Sequence, residues 1–232
     1  MAIISFDDVT VTAATAAGDV VILQAISATL TEHRVAFIGG NGSGKSTLAR
    51  LINGLVVPSA GRVTVDGRDV AEDGAAVRRQ VGFAFTNPAA QLVMPTVAED
   101  IALSLRRHIS DKAARAERVK ELLEEFGLGS HAASSVHSLS GGQQQLLALA
   151  GVLATEPAIL VADEPTTLLD LRNSAIIAER LFDLSQQLVL VTHDLEMAER
   201  CDRVLVIADG RIDFDGEPTA AVANYRDSVT LP

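Results

Sequence analysis

Very little in this chain could cross-link it, carry it across a bilayer or grip a polyanion. It has one cysteine, Cys201, so no internal disulfide can form, and no Cys/His grouping has zinc spacing; both fit a reducing compartment. Basic residues are scarce: 19 Lys and Arg against 30 Asp and Glu leave a formal charge of −11, which argues against nonspecific nucleic-acid binding. The most apolar stretch, 146–162, is broken by Glu156-Pro157, so no membrane-spanning helix is expected. The first residues, Met1 to Asp8, hold no basic segment and meet acid at once, unlike a signal peptide. Aromatics are few, with no Trp and Tyr225 as the single Tyr. Aliphatic residues are plentiful. At 48% hydrophobic over 232 residues, the chain can bury one large core, as a single domain or a domain with a sub-domain.

One stretch organises the rest. Gly39-Gly40-Asn41-Gly42-Ser43-Gly44-Lys45-Ser46-Thr47 fits the G-x-x-x-x-G-K-[ST] phosphate-binding loop. The apolar run 35–38 before it reads as a buried strand, and 46–52 after it as a helix stopped by Asn53-Gly54. A loop wrapped around a polyphosphate must aim backbone N–H groups inward, so side chains obstruct and glycine suits. The helix start adds unpaired N–H groups and a positive dipole end. Lys45 is placed to reach β- and γ-phosphates, and the Ser46 hydroxyl to ligate Mg²⁺. A nucleoside triphosphate is thereby implied, but not its use.

The remaining pattern is that of an α/β protein. Residues 3–12, 20–23, 25–30 and 62–67 read as strands of an antiparallel patch, with 13–19 turn-like. Residues 80–85 read as a strand. Asn87 with Pro88 then starts a short helix, and Thr96-x-x-Glu99 is a capping box for a helix to about Arg106. Val119, Leu122, Leu123 and Phe126 form one apolar stripe of a helix ended by Gly127. Residues 87–155 are therefore expected as a helical sub-domain inserted between 1–86 and 156–232. Strands are expected at 158–164, 188–192 and 204–208.

Three further features carry chemistry. Asp163-Glu164 closes an apolar strand, where Asp163 can stand on the Mg²⁺ side and Glu164 can polarise a water; a solvated strand end is the plainer reading of such a pair. His193 also follows an apolar strand. A lone histidine is more often structural, yet the C-terminal ends of core strands are the ligand edge of such sheets, where it could bond a γ-phosphate. Histidines 33, 108, 131 and 137 read as surface residues. Lastly, Leu139-Ser140-Gly141-Gly142-Gln143 is a second glycine-bearing helix start, hence a second anion site. One nucleotide does not need two such sites in one subunit, so the second is expected to serve a nucleotide on another copy.

Taken in order, these motifs resemble those of the ATP-binding cassette (ABC) ATPases. Residues 39–47 match that family's Walker A, Leu139–Gln143 its LSGGQ signature and 159–164 its Walker B with a catalytic glutamate at Glu164. Residues 165–170 match its D-loop, with Asp170, and His193 its switch histidine. The resemblance spans residues 1–216. It implies a P-loop α/β fold with a mixed sheet, an antiparallel flank and an inserted helical sub-domain. It also implies a head-to-tail homodimer holding two ATP, each between one copy's Walker A and the other's Ser140, Gly141, Gly142 and Gln143. Within the family, Asn87-Pro88-Ala89-Ala90-Gln91-Leu92 resembles the Q-N-P-x-x-Q segment of energy-coupling factor (ECF) importers. That likeness implies docking of a transmembrane coupling subunit on Pro88, Ala89, Ala90, Gln91 and Leu92. A small substrate-binding membrane subunit and a peripheral place on the cytoplasmic face of the inner membrane are also implied. The short segment after the cassette is most like that of the biotin-importer ATPases. ATPases of another transporter branch, and non-transport members acting on DNA or ribosomes, are the alternatives.

Two positions depart from the pattern. Ala13 stands where the family places an aromatic on adenine, so weak ATP affinity or low base selectivity is expected. Thr86 stands where the family's Mg²⁺- and water-contacting glutamine falls, and Gln91 lies too far along to replace it.

Overall fold

The computed structural model describes residues 1–16 and 18–230. In chain order the strands are β1 (Ile4–Thr15), β2 (Gly18–Leu30), β3 (Arg34–Ile38), β4 (Ala60–Val65), β5 (Arg68–Asp69), β6 (Val81–Ala84), β7 (Ile159–Asp163), β8 (Gln187–Val191), β9 (Arg203–Ala208) and β10 (Arg211–Gly216). The helices are α1 (Lys45–Ile52), α2 (Gly74–Gln80), α3 (Val97–Leu105), α4 (Lys112–Glu125), α5 (Gly141–Leu153), α6 (Leu171–Phe182), α7 (Leu195–Glu199) and α8 (Pro218–Thr230). They fall into two compact units: 1–81, 158–164 and 185–232 form the first; 82–157 and 165–184 form the second.

The first unit holds two sheets. One is antiparallel in the order β2-β1-β4-β5. In the other, β9, β3, β8 and β7 run parallel side by side, and β10 pairs antiparallel to β9. All residues of β7 and β8 are buried. Parallel strands covered on both faces have no polar side to show, which is why these segments read as unbroken apolar runs. Two polar residues stand in these strands: Asp163 at the end of β7, and Gln187, 2% exposed, which donates through Nε2 to the Glu32 carbonyl at 2.9 Å while its buried Oε1 has no partner. Arg203 of β9 donates to both oxygens of Asp215, to the Thr29 carbonyl and to Glu32. These bonds, the Asp215 pair first, raise its pKa further above neutrality.

The β1–β2 hairpin is longer than its composition suggests. Residues 13–19 were expected to turn, yet Ala13, Ala14 and Thr15 pair with Val20, Asp19 and Gly18. Small residues do not oppose an extended backbone, and Thr15 Oγ1 closes the end on the Gly18 carbonyl at 2.6 Å. The two segments expected as separate strands, 20–23 and 25–30, are one strand. Ala25 takes a left-handed φ of 52° there, and the register to β1 shifts nearby, as in a bulge.

The second unit is helical. Thr96 accepts from the Glu99 N–H and Glu99 from the Thr96 N–H, completing the expected capping box of α3. The stripe on α4 is buried at Val119, Leu122, Leu123 and Phe126. The unit takes in 165–184 as well as the expected helical stretch. Helix α6 is tied to the C-terminal end of α4 by Arg180, which donates to the Glu125 carbonyl at 2.6 Å and lies 5.5 Å from the Phe126 ring centroid. No helix among the described residues is long and apolar enough to cross a membrane.

Candidate functional site

In the first unit the loop between β3 and α1 encloses a cleft of about 410 Å³, walled by Asn41, Gly42 and 44–47 with Ile22 and Glu164. Its glycines are structural requirements. Gly39 has φ +143°, and a Cβ there would stand 2.1 Å from the Ile207 carbonyl oxygen; Gly44, at φ +104°, would meet Leu23 at 2.6 Å. Gly44 caps α1 without any side-chain bond, so the first N–H groups of that helix remain available to an anion. Ser43 is buried, and its hydroxyl has no hydrogen-bond partner.

Lys45 is 6% exposed and bends back, donating to the Gly39 and Gly40 carbonyls at 2.8 Å each. Burial lowers its pKa below the ordinary lysine value, while Glu164 and Asp163 pull it back up. Ser46 donates to Asp163 Oδ1 at 2.8 Å, and Arg50 reaches Asp163 Oδ2 at 3.2 Å. Arg50 is a site residue that the motif reading missed. It lies four residues beyond Ser46 on α1, so both share one helix face, and helical spacing alone could have found it. Ile22 was missed for a different cause: nothing in a β-strand's pattern marks it as a cleft wall.

At the end of β7 the chain turns sharply. Glu164 has φ 52°, left-handed for a non-glycine, and its N–H bonds the Val191 carbonyl at the end of β8. That turn aims its carboxylate at the His193 ring, whose Nδ1 lies 2.7 Å from Oε2. A carboxylate only accepts, so the proton is on Nδ1.

The second unit builds the other glycine-bearing helix start. Ser140 Oγ accepts from the Gln143 N–H at 3.3 Å, and Gln143 Oε1 accepts from the Ser140 N–H at 2.9 Å, a reciprocal cap on α5. Gly141 is exposed and Gly142 buried, and neither puts a side chain over the helix start. Gly142 also admits Asn173: a Cβ on Gly142 would stand 2.5 Å from Asn173 Cγ. Asn173 in turn bonds Asp170, the N-cap of α6, through both its N–H and its Nδ2. The coupling of Gly142 to Asp170 through Asn173 leaves no trace in the sequence.

The segment after β6 forms a one-turn 3-10 helix over Pro88–Ala90, with Asn87 Oδ1 accepting from the Ala89 N–H. Pro88 is buried. Gln91 Oε1 accepts the Phe85 N–H at 3.1 Å, so Gln91 closes this loop, immediately before Thr86 in sequence. Ala89, Ala90 and Val93 are exposed, and Thr86 and Leu92 half-buried. Ala13, the expected position against the base, pairs with Val20; on that side the cleft wall is Ile22.

A glycine-rich loop between strand and helix, with a serine–aspartate pair beneath it and a glutamate–histidine pair at the neighbouring strand ends, defines a P-loop nucleoside triphosphatase. The profile of the ABC transporter family matches residues 23–167. The chain belongs to that family, as one of its ATP-hydrolysing, ATP-binding proteins. It is 44% identical to the biotin transport ATP-binding protein BioM of Rhizobium etli, over 89% of this chain and 92% of that one. It is 38% identical to the energy-coupling factor transporter ATP-binding protein EcfA1 of Halalkalibacterium halodurans, over 84% and 72%. Among solved structures, the dimeric post-hydrolysis state of the ATP-binding cassette MJ0796 bound to ADP and Pi superposes with a TM-score of 0.83 at 29% identity, covering 93% of this chain and 98% of that one.

Proposed function

We propose that this chain is the motor of an ECF-type importer of a vitamin, biotin-like, or of a metal. Two identical copies would sandwich two ATP at the cytoplasmic face of the inner membrane. A transmembrane coupling subunit and a small substrate-binding membrane subunit complete the assembly. The observation that carries the transport reading is the likeness to BioM and EcfA1 over most of the chain. Pairing is supported by the second helix start at Ser140, whose reciprocal cap uses the Ser140 and Gln143 N–H groups, and by Leu168 and Leu171, apolar yet 63% and 91% exposed on either side of Asp170.

The residues take these roles. The backbone of 39–47 cradles the phosphates, and Lys45 exchanges the Gly39 and Gly40 carbonyls for β- and γ-phosphate oxygens. Ser46 and Asp163 fit Mg²⁺: both offer oxygen, as a hard cation needs. Among the described residues no three His, Cys, Asp or Glu gather to hold a metal ion, and phosphate oxygens and water would complete that shell. Mg²⁺ neutralises charge on the phosphates when bound. By the family's motif order, Thr86 would take the place of the glutamine that contacts the ion, offering a hydroxyl instead. Glu164 orients and polarises the attacking water. His193 must release Glu164 or gain a second proton before it can donate to a γ-phosphate, which makes its ring a reporter of that phosphate. Ser140, Gly141, Gly142 and Gln143 of one copy meet the ATP on the other, beside Asp170. Ala89, Ala90, Leu92 and Val93 offer the docking face for the coupling subunit, on a loop held by Pro88 and Gln91.

The test is ATPase activity of the purified chain and of Glu164→Gln, with and without solubilised membrane partners captured on the tagged chain. Activity should rise with the partners and fall at least about a hundredfold in the variant, which should accumulate as an ATP-bound dimer. Equal activity alone, unmoved by any partner, would refute the transport role, and capture of a permease pair without a small substrate-binding membrane protein would refute the ECF assignment.

A further inference from the structure

Gln143 is held at three points. Its N–H and Oε1 make the reciprocal cap with Ser140, and its Nε2 lies 3.1 Å from Nε2 of His131. His131 closes the 3-10 turn Gly129–His131, which follows α4 in the same unit. The chemistry at this contact has a single solution. The Ser140 N–H can only donate, so the amide oxygen of Gln143 must face it. The amide nitrogen therefore faces His131, and an NH₂ can only donate. His131 must accept through an unprotonated Nε2, with its proton on Nδ1. Were the amide to flip, the His131 contact would survive only with the other tautomer, and the Ser140 N–H would be left against a donor.

We infer that His131 is a positioning residue for the signature helix: its Nε2 lone pair fixes the Gln143 amide, and through it the cap that shapes the Ser140–Gly142 backbone. The cap uses one lone pair of the Ser140 hydroxyl and leaves its proton, with the Gly141 and Gly142 N–H groups, to donate together to an anion. Loss of the His131 bond lets the amide rotate, and those donors cease to be held in one arrangement. His131 sits twelve residues before Gln143 and belongs to none of the motifs, so it reads in the sequence as a surface residue. This deepens the proposed function and rests on it for one point, that the signature acts on a nucleotide held by a second copy.

Two variants separate the bond from mere packing. His131→Leu keeps an apolar body of similar size without an acceptor. His131→Gln carries an amide oxygen to about the reach of Nε2. The first readout is hydrogen exchange of the 140–143 amides in the nucleotide-free chain. His131→Leu should lower protection at Ser140 and Gln143 about three- to tenfold, the worth of one neutral hydrogen bond, and His131→Gln should restore it. The second readout is ATP-driven dimerisation in the Glu164→Gln background, which should weaken by a similar factor in His131→Leu and recover in His131→Gln. Affinity of a fluorescent ATP analogue for the monomer should stay at the parent value in both. Parental exchange in His131→Leu, or an equal loss in His131→Gln, would overturn the inference. If Glu164→Gln forms no ATP-dependent dimer at all, the proposed pairing fails, while the exchange measurement still decides the role of His131.

Discussion

Replacing Gly142 by Ala should separate folding from function. Gly142 is buried in the first turn of α5 with a helical backbone, so alanine is compatible with its dihedral angles. The obstacle is lateral: the new methyl would stand 2.5 Å from both Cγ and Oδ1 of Asn173 and 2.9 Å from its Cβ. Swinging the Asn173 amide away clears Cγ and Oδ1 and breaks the 2.9 Å bond from Nδ2 to Asp170 Oδ2, but Cβ does not move with that rotation, so its contact must be relieved by a small backbone shift. That bond is exposed, so its loss costs about 1 kcal/mol. The backbone cap from the Asn173 N–H to Asp170 Oδ1, at 2.8 Å, can survive the rotation. Against this, Gly→Ala in a helix returns at most about 1 kcal/mol. With the shift that the Cβ contact requires, the net change in stability should be a loss of about 1–2 kcal/mol, or roughly 2–8 °C in Tm for a chain of this size. Function should not escape so lightly, because the methyl intrudes between the signature backbone and Asp170. In the Glu164→Gln background, ATP-driven dimerisation followed by light scattering should weaken at least about tenfold, the equivalent of 1.4 kcal/mol. Dimerisation at the parent ATP concentration would refute the coupling. A Tm drop beyond about 8 °C would show that Asn173 cannot yield.

Two glycines of the P-loop should behave in opposite ways. Gly39→Ala combines a φ of +143° with a Cβ 2.1 Å from the Ile207 carbonyl oxygen, so urea unfolding should show a loss of about 3 kcal/mol, with nucleotide binding abolished. Gly40→Ala meets nothing within 4 Å and should unfold within about 0.5 kcal/mol of the parent; equal losses in the two would contradict the loop geometry. Cys201 is 6% exposed, burial pushes its thiol pKa up to about 12, and its thiol proton points to the Met197 carbonyl. Because the thiolate is the reactive form, a maleimide or disulfide reagent at pH 8 should label the native chain at least about a hundredfold more slowly than the urea-unfolded chain. Rapid native labelling would mean that α7 and its neighbours open readily.

Sequence alone was enough where chemistry is local. The P-loop, the Thr96 capping box, the glycine-bearing helix start at Ser140 and the apolar strands before Asp163 and His193 are each written within a few consecutive residues, because a turn, a cap or a buried strand is a short-range object. The acidic balance and the lone Cys201 likewise spoke without coordinates. Tertiary structure decided what links residues far apart in the chain. Arg50 reaches Asp163 across 113 positions, and Glu164 reaches His193 across 29. His131 joins Gln143 because the 3-10 turn after α4 comes back to α5, and Asn173 fits beside Gly142 because a glycine there leaves the space of a missing Cβ. The β1–β2 hairpin shows the same division. Its alanines and Gly18 do not favour strand, and Thr15 alone does, so pairing across the ladder more than propensity extended the strands to Thr15 and Gly18. Short-range bonding is readable from neighbours in the chain; which distant side chains share a cleft or a cap is settled only when burial of the core brings their elements together.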